Sequence, residues 1–159
     1  MFKKIRLFMA GAILTTIIDK FNEFSDSQAF TTGANTSTKS FDTKGADIGT
    51  GEDLYLTIQT DVTCTSNGNS TVAFAYVESD NADLSAADTL YTTAAIAYAT
   101  LVAGYQVVKM KIPANTKRYV GVIYTVATAD LTAGKFSAFL SKDLQSAKTR
   151  TFPSGYVNH

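Results

Sequence analysis

Apolar and polar residues alternate with a period of two along several short stretches in the middle of the chain. From Leu54 to Val62, apolar residues and one threonine occupy every second position, and the residues between them are more polar. Similar alternation recurs in four later stretches, which are Val72–Tyr76, Val107–Ile112, Tyr119–Val126 and Phe136–Ser141. Successive side chains of a strand point to opposite faces, so this period predicts β-strands with one buried and one wetter face.

Turn residues separate these stretches. In the segment Ser66–Ser70, Asn67 precedes Gly68, and an Asn-Gly pair between two alternating runs predicts a β-hairpin because both residues tolerate positive φ. Pro113 ends the strand before it, since proline cannot donate to a ladder of hydrogen bonds. A loop over Ala127–Gly134 is expected to precede the last strand.

The segment Thr89–Ala103 fits two interpretations. Its alanines favour a helix, whereas its threonines and Ile96 favour a strand. Its spacing matches that of the other strands, so we predict a strand here. Several short strands at nearly regular spacing, separated by Gly, Asn and Pro turns, predict an all-β sandwich or barrel over residues 25–145.

The chain begins with a basic and then an apolar segment. Lys3, Lys4 and Arg6 precede the mostly apolar run Leu7–Ile18, which is similar to the start of a secretory leader, but no small-x-small cleavage site follows. The run is too short to span a bilayer. We therefore expect residues 1–24 to form an arm that contacts its own sandwich or a neighbouring subunit, with a cleaved leader as the alternative. The apolar candidates for a subunit interface are Phe2, Ile5, Phe8, Met9, Ile13, Ile17, Phe21 and Phe24.

The conformation of this arm stays open at the sequence level. The apolar residues of its first half fit helical spacing, whereas the β-branched run Thr15–Ile18 favours an extended chain. At the other end, residues 146–159 are polar and contain Pro153 and Gly155. They show no strand period, so we expect a second arm there.

Composition agrees with an all-β protein that contacts other proteins. The chain of 159 residues is 45% hydrophobic but only 18% charged, and it contains 23 threonines, which favour strands. Fourteen basic and fourteen acidic residues give a formal net charge of zero, so no nucleic-acid partner is expected. A weakly charged surface also tolerates close approach to other protein surfaces.

Residues with catalytic or metal-binding chemistry are scarce. The single histidine is His159, the last residue, and the single cysteine is Cys64, so neither histidine-dependent nucleophiles nor His/Cys metal sites are expected. The acidic residues between Glu78 and Asp88 lack calcium-loop spacing, and we expect them to make turns. The chain has no tryptophan to line a sugar-cleaving cleft. We expect no enzymatic activity, no cofactor and no membrane partner.

Several segments, in order, resemble one family. The stretch Ser25–Ala29 opens the similarity, which continues through Ile48–Leu56 and Ile112–Val120. Three shorter segments complete it, which are Tyr124–Val126, Thr132–Lys135 and Asp143–Gln145. Together they resemble a group of capsid cement, or decoration, proteins of tailed bacteriophages over about residues 25–145.

This resemblance implies a jelly-roll-like antiparallel β-sandwich. It also implies homotrimers on the outer surface of the virion, where they would tie major capsid subunits together without any catalytic residue. The chain departs from the family pattern at residues 1–24 and 146–159, which leaves the mode of attachment open. The alternative is a receptor- or carbohydrate-binding jelly-roll module on a virion or cell surface, since one fold serves many functions.

Overall fold

A computed structural model describes residues 20–44, 53–114 and 117–142, and this part of the chain is built almost entirely from β-strands. The strands are β1 Glu23–Gln28, β2 Gly33–Thr36, β3 Phe41–Asp42, β4 Tyr55–Ser66, β5 Thr71–Ser79, β6 Asp88–Thr92, β7 Ile96–Ala97, β8 Gln106–Lys111, β9 Tyr119–Ala127 and β10 Leu131–Ser141. Two single-turn 3₁₀ helices accompany them, at Lys20–Asn22 and Tyr98–Thr100.

These strands form two antiparallel sheets. The first has the order β1-β10-β4-β8, and the second has the order β2-β9-β5-β6. Strand β3 pairs with β9 beyond the end of β2, and β7 pairs with β5 beyond the end of β6. Each sheet therefore consists of four rows, because the two short strands extend rows that already exist.

The chain crosses between the sheets at almost every connection. Strand β1 lies in the first sheet, β2 and β3 in the second, β4 in the first, and β5 to β7 in the second. Strand β8 then returns to the first sheet, β9 to the second and β10 to the first. Among the described connections, only β5 to β6 joins adjacent rows of one sheet. This order is that of a jelly roll, so the predicted all-β sandwich is confirmed.

The core lies between the facing sheets and is rich in aromatic rings. Tyr124 stacks on Phe30 with 4.1 Å between ring centroids, and Phe136 stacks on Phe30 at 5.4 Å. Phe74 meets Tyr124 edge-on at 5.8 Å. Burial of each such side chain is worth roughly 1.5–3 kcal/mol, so the inward residues of β5, β9 and β10 provide the main drive to close the sandwich.

The hairpin predicted at Asn67 and Gly68 is wrong. The strands on either side, β4 and β5, belong to different sheets and do not pair, and neither residue has a positive φ. Gly68 instead allows its backbone to approach Ala129 closely, because a Cβ at Gly68 would lie 2.7 Å from the Cβ of Ala129. The chain uses this turn to cross the edge of the sandwich.

Two other boundaries differ from prediction. The segment Thr89–Ala103 holds parts of two short strands and a 3₁₀ turn instead of one continuous strand. The predicted loop Ala127–Gly134 is shorter, because β10 already begins at Leu131. The strand continues through irregular register near Gly134, where φ is +138° and the backbone lies against Cys64.

A loop closes over the outer face of the second sheet. Leu84, in the loop between β5 and β6, is buried with a φ of +59°. A Cβ at Gly121 would collide with Cδ1 of Leu84 and would lie 3.2 Å from the Ser37 hydroxyl. The missing side chain of Gly121 therefore creates the space that Leu84 fills.

This fit predicts a specific coupling between Gly121 and Leu84. We expect Gly121→Ala to lower the free energy of unfolding by about 1–3 kcal/mol, because overpacking forces the loop away from the sheet. In a Leu84→Ala background the same substitution should be clearly less destabilising. Urea unfolding of the two single variants and the double variant measures this coupling. Equal destabilisation in both backgrounds would contradict it.

Candidate interaction surface

Most residues predicted to form an interface precede the described part of the chain. Phe2, Ile5, Phe8, Met9, Ile13 and Ile17 lie outside the described residues, as do residues 146–159 of the predicted tail. Phe21 and Phe24 are described and have opposite environments. Phe21 is 89% exposed, whereas Phe24 is 2% exposed.

Phe24 packs in the core of its own sandwich. Its ring meets that of Tyr76 edge-on, with 6.3 Å between centroids, so its predicted role at a subunit interface does not agree with its burial. The difference arises at the 3₁₀ turn Lys20–Asn22, after which β1 carries Phe24 under the sheet. The sandwich therefore begins at Glu23, and Phe21 lies on the turn just before it.

A groove of about 170 Å³ lies between this turn, β1 and the segment after β2. Seven of the described residues line it, which are Lys20, Glu23, Phe24, Ser25, Asp26, Thr38 and Lys39. Two ion pairs border it, one between Lys20 and Asp26 at 3.5 Å and one between Lys39 and Glu23 at 3.7 Å. The groove thus combines two carboxylates and two ammonium groups with one apolar wall.

The polar motif Ser25–Gln28 fastens β1 to the rest of the sandwich. The Ser25 hydroxyl accepts a hydrogen bond from the Tyr124 hydroxyl and donates one to Gln28 Oε1, both at 2.8 Å. Gln28 Oε1 also accepts from the backbone and the hydroxyl of Thr38. Burial raises the pKa of Tyr124 above its ordinary value, which keeps its hydroxyl a neutral donor.

A second group of hydrogen bonds converges on Asp61 from the other side of β1. Asp61 Oδ2 accepts from the Ser27 hydroxyl at 2.9 Å and from the Ser137 hydroxyl at 2.5 Å. Gln59 Nε2 donates to Oδ1 at 3.1 Å. Ser27 has a φ of +46°, an uncommon conformation, and its N–H also donates to Ser137. We call these contacts and those of Ser25 and Gln28 together the β1 clamp.

The β1 clamp gives a structural meaning to the segment that opened the family resemblance. Ser25, Ser27 and Gln28 each hold a different partner, while Asp26 points to solvent and pairs with Lys20. Strand β1 also carries two register shifts against β10, which allow Phe24 and Ser25 both to be buried. Sequence reasoning identified the motif but not this role, because its partners are distant in sequence.

A smaller apolar patch lies at the far end of β4. Val62 is 42% exposed, Val102 is 48% exposed and Tyr105 is 37% exposed. The loop that follows the Tyr98–Thr100 turn is held against β4 by backbone hydrogen bonds, including one from the Thr60 N–H to the Tyr105 carbonyl. Val62 lies at an apolar position of the predicted strand Leu54–Val62, so its exposure corrects that prediction. Val102 and Tyr105 were missed because the loop residues follow no strand period.

Among the described residues, Cys64 and Asp83 lie in structural environments. Cys64 is buried, and desolvation raises the pKa of its thiol to about 11, whereas His159 lies outside the described residues. The Asp83 carboxylate accepts from the N–H and hydroxyl of Ser85, which lowers its pKa and confirms the predicted turn role for this residue.

The described segments also lack two further kinds of site. They contain no group of three or more His, Cys, Asp or Glu side chains placed to hold a metal ion. Within the same segments, no helix has the length and apolarity needed to cross a bilayer.

Comparison with known proteins gives one family. The family described as Bbp16 matches residues 24–140, which is nearly the whole sandwich and includes both the β1 clamp and most of the groove. No curated protein matches the chain.

The β1 clamp predicts unequal effects of two aspartates. Asp61→Ala should lower the free energy of unfolding by about 1.5–3 kcal/mol, because three donors lose a charged acceptor. Asp26→Ala, the matched control in the exposed part of the same motif, should change it by less than about 0.5 kcal/mol. Urea unfolding followed by circular dichroism measures both values, and similar losses for the two variants would refute this account of the clamp.

Proposed function

The chain belongs to the Bbp16 family, and from this premise we propose that it is a cement protein of a tailed-phage virion. It binds the outside of the capsid and stabilises contacts between major capsid subunits. The family match is consistent with a virion protein. The motif order described above supports the finer assignment to cement proteins, and the jelly roll supplies a rigid body suited to a shell.

The observation that carries the proposal is the position of Phe21. This aromatic side chain is 89% exposed, and it joins the apolar segment before it to a sandwich that the β1 clamp holds rigid. Docking a side chain of this size on another protein is worth roughly 1.5–3 kcal/mol. Repetition of such a contact over many copies in a shell adds avidity. The turn at Lys20–Asn22 is therefore the base of the proposed attachment.

The groove beside this turn favours a protein partner over a free sugar. Among the residues that the structure describes, its only aromatic wall residue is Phe24, which is almost fully buried. The described part of the groove therefore offers no exposed ring platform. The number of copies on the particle separates the two functions. Hundreds of copies indicate a cement protein, whereas a few copies indicate a receptor- or carbohydrate-binding module.

The attachment predicts how two changes alter capsid binding. Capsids that lack the protein are mixed with the purified chain, and the bound fraction is measured by co-sedimentation. Phe21→Ser should weaken binding by about tenfold or more, and deletion of residues 1–20 should weaken it further. The matched control Val102→Ser, in the apolar patch near β4, should bind like the unchanged protein.

Circular dichroism must first show that each variant retains the sandwich. A folded deletion variant that binds as tightly as the full chain would show that the arm packs only on its own subunit. Failure of the unchanged protein to bind any capsid would reject the cement function itself.

The resemblance also leads us to propose a homotrimer. Obligate subunit interfaces bury about 2,000 Å² or more and are more apolar than ordinary surface. The low charge of this chain is compatible with such contacts. Native mass spectrometry should therefore detect trimers of the purified protein. A species that is monomeric both in solution and on the capsid would contradict this proposal.

A further inference from the structure

Glu23 leaves one strong acceptor in the wall of the groove. Its side chain is only 8% exposed, and Oε2 accepts no hydrogen bond. Lys39 Nζ lies 3.7 Å from Oε2, which is beyond hydrogen-bond length, and this ammonium already donates to the Lys20 carbonyl at 3.2 Å. The Lys39 ammonium therefore offsets the charge of Glu23, but it does not replace the hydrogen bonds to water that the buried Oε2 has lost.

Asp26 offers a second carboxylate of the same groove to a ligand. Asp26 pairs only loosely with Lys20, at 3.5 Å, and the two side chains are 62% and 76% exposed. Exposed pairs of this kind contribute little and exchange easily. Phe24 also lines the groove but is only 2% exposed, so the polar groups dominate its accessible surface. The volume of about 170 Å³ far exceeds the roughly 10–15 Å³ that one water needs.

We infer that this groove binds the guanidinium group of an arginine side chain from a partner protein. A guanidinium presents five N–H donors in a planar fork that suits carboxylates, and it is less strongly hydrated than an ammonium. Only the identity of the partner, a capsid subunit, rests on the proposed function.

Lys39 acts as an internal competitor in this arrangement. Its positive charge lies beside Glu23 without supplying a hydrogen bond. Because Oε2 has almost no accessible surface, an incoming guanidinium would have to displace the Lys39 ammonium, which lies 3.7 Å from it, to supply that bond. Lys39 would also repel the guanidinium at short range. Removal of the Glu23 charge should therefore weaken the binding of a cation, whereas removal of the Lys39 charge should not weaken it. A purely structural ion pair would instead make both substitutions similar.

The test uses the full-length protein and single amino acids whose amino and carboxyl groups are blocked, so that only the side chain carries charge. N-acetyl-arginine amide is titrated while NMR shifts of the groove residues are followed, with N-acetyl-citrulline amide and N-acetyl-lysine amide as matched controls. We expect saturable shifts with the arginine probe, none with citrulline and weaker binding of lysine. Glu23→Gln should weaken arginine binding by about tenfold or more, whereas Lys39→Gln should leave it unchanged or tighten it.

Several results would overturn the inference. These are the absence of arginine-specific shifts at the groove, equal binding of the lysine probe, or a folded Glu23→Gln variant that binds like the unchanged protein. Thermal melts identify the structural alternative, in which both substitutions lower stability and neither alters the titration.

The capsid assay separates this inference from the proposed function. Capsid binding that survives Glu23→Gln would overturn the arginine site and leave the cement function intact. Arginine binding that depends on Glu23, in a protein that binds no capsid, would reject the cement function alone.

Discussion

Tyr124 lies at the centre of the sandwich, where its ring stacks on Phe30 and its hydroxyl reaches Ser25. The ring belongs to the apolar contact between the sheets, while the hydroxyl needs a partner because burial removes it from water. Ser25 meets that need, and the same bond pins β1 to the sheet opposite. Closure of the sandwich and placement of its first strand are thus one physical event.

This coupling determines what the protein presents at its first strand. Since Phe24 and Ser25 are both held inward, the turn before them has to carry Phe21 outward, and Glu23 is left in the wall between turn and sheet. The proposed attachment and the proposed arginine site therefore share one support. A change that loosens the β1 clamp would alter both, even though none of its residues need touch a capsid.

Glycine is required at two positions where two segments of the chain pack closely against each other. Gly121 admits Leu84 against the outer face of the second sheet, and Gly68 lets the β4–β5 crossing pass Ala129. In both places it is the space a side chain would take, not backbone freedom, that requires glycine. Folded proteins are close-packed and have few voids, so neither place has spare room for a larger side chain.

The sequence by itself determined the fold class and the approximate position of most strands. Alternation with a period of two is a local property, and each face of a strand such as Tyr119–Ala127 is readable without knowing its neighbour. The family resemblance located the motif Ser25–Ala29 and the start of the sandwich to within a few residues. The apolar run before this motif directed attention to Phe21, whose exposure the structure then established.

Only the tertiary structure decided which strands pair and which polar groups are buried. The Asn-Gly turn indicated a hairpin, but the chain there crosses between sheets, since β4 pairs with β10 and β8 while β5 pairs with β9 and β6. Likewise, Phe24 and Phe21 look alike in the sequence, but Phe21 lies on the 3₁₀ turn and Phe24 lies in β1. Asp61 meets Ser27 and Ser137, and Glu23 meets Lys39, through contacts between residues far apart in the chain or in different strands. Such contacts exist only once the sheets have closed, which is why no local pattern could reveal them.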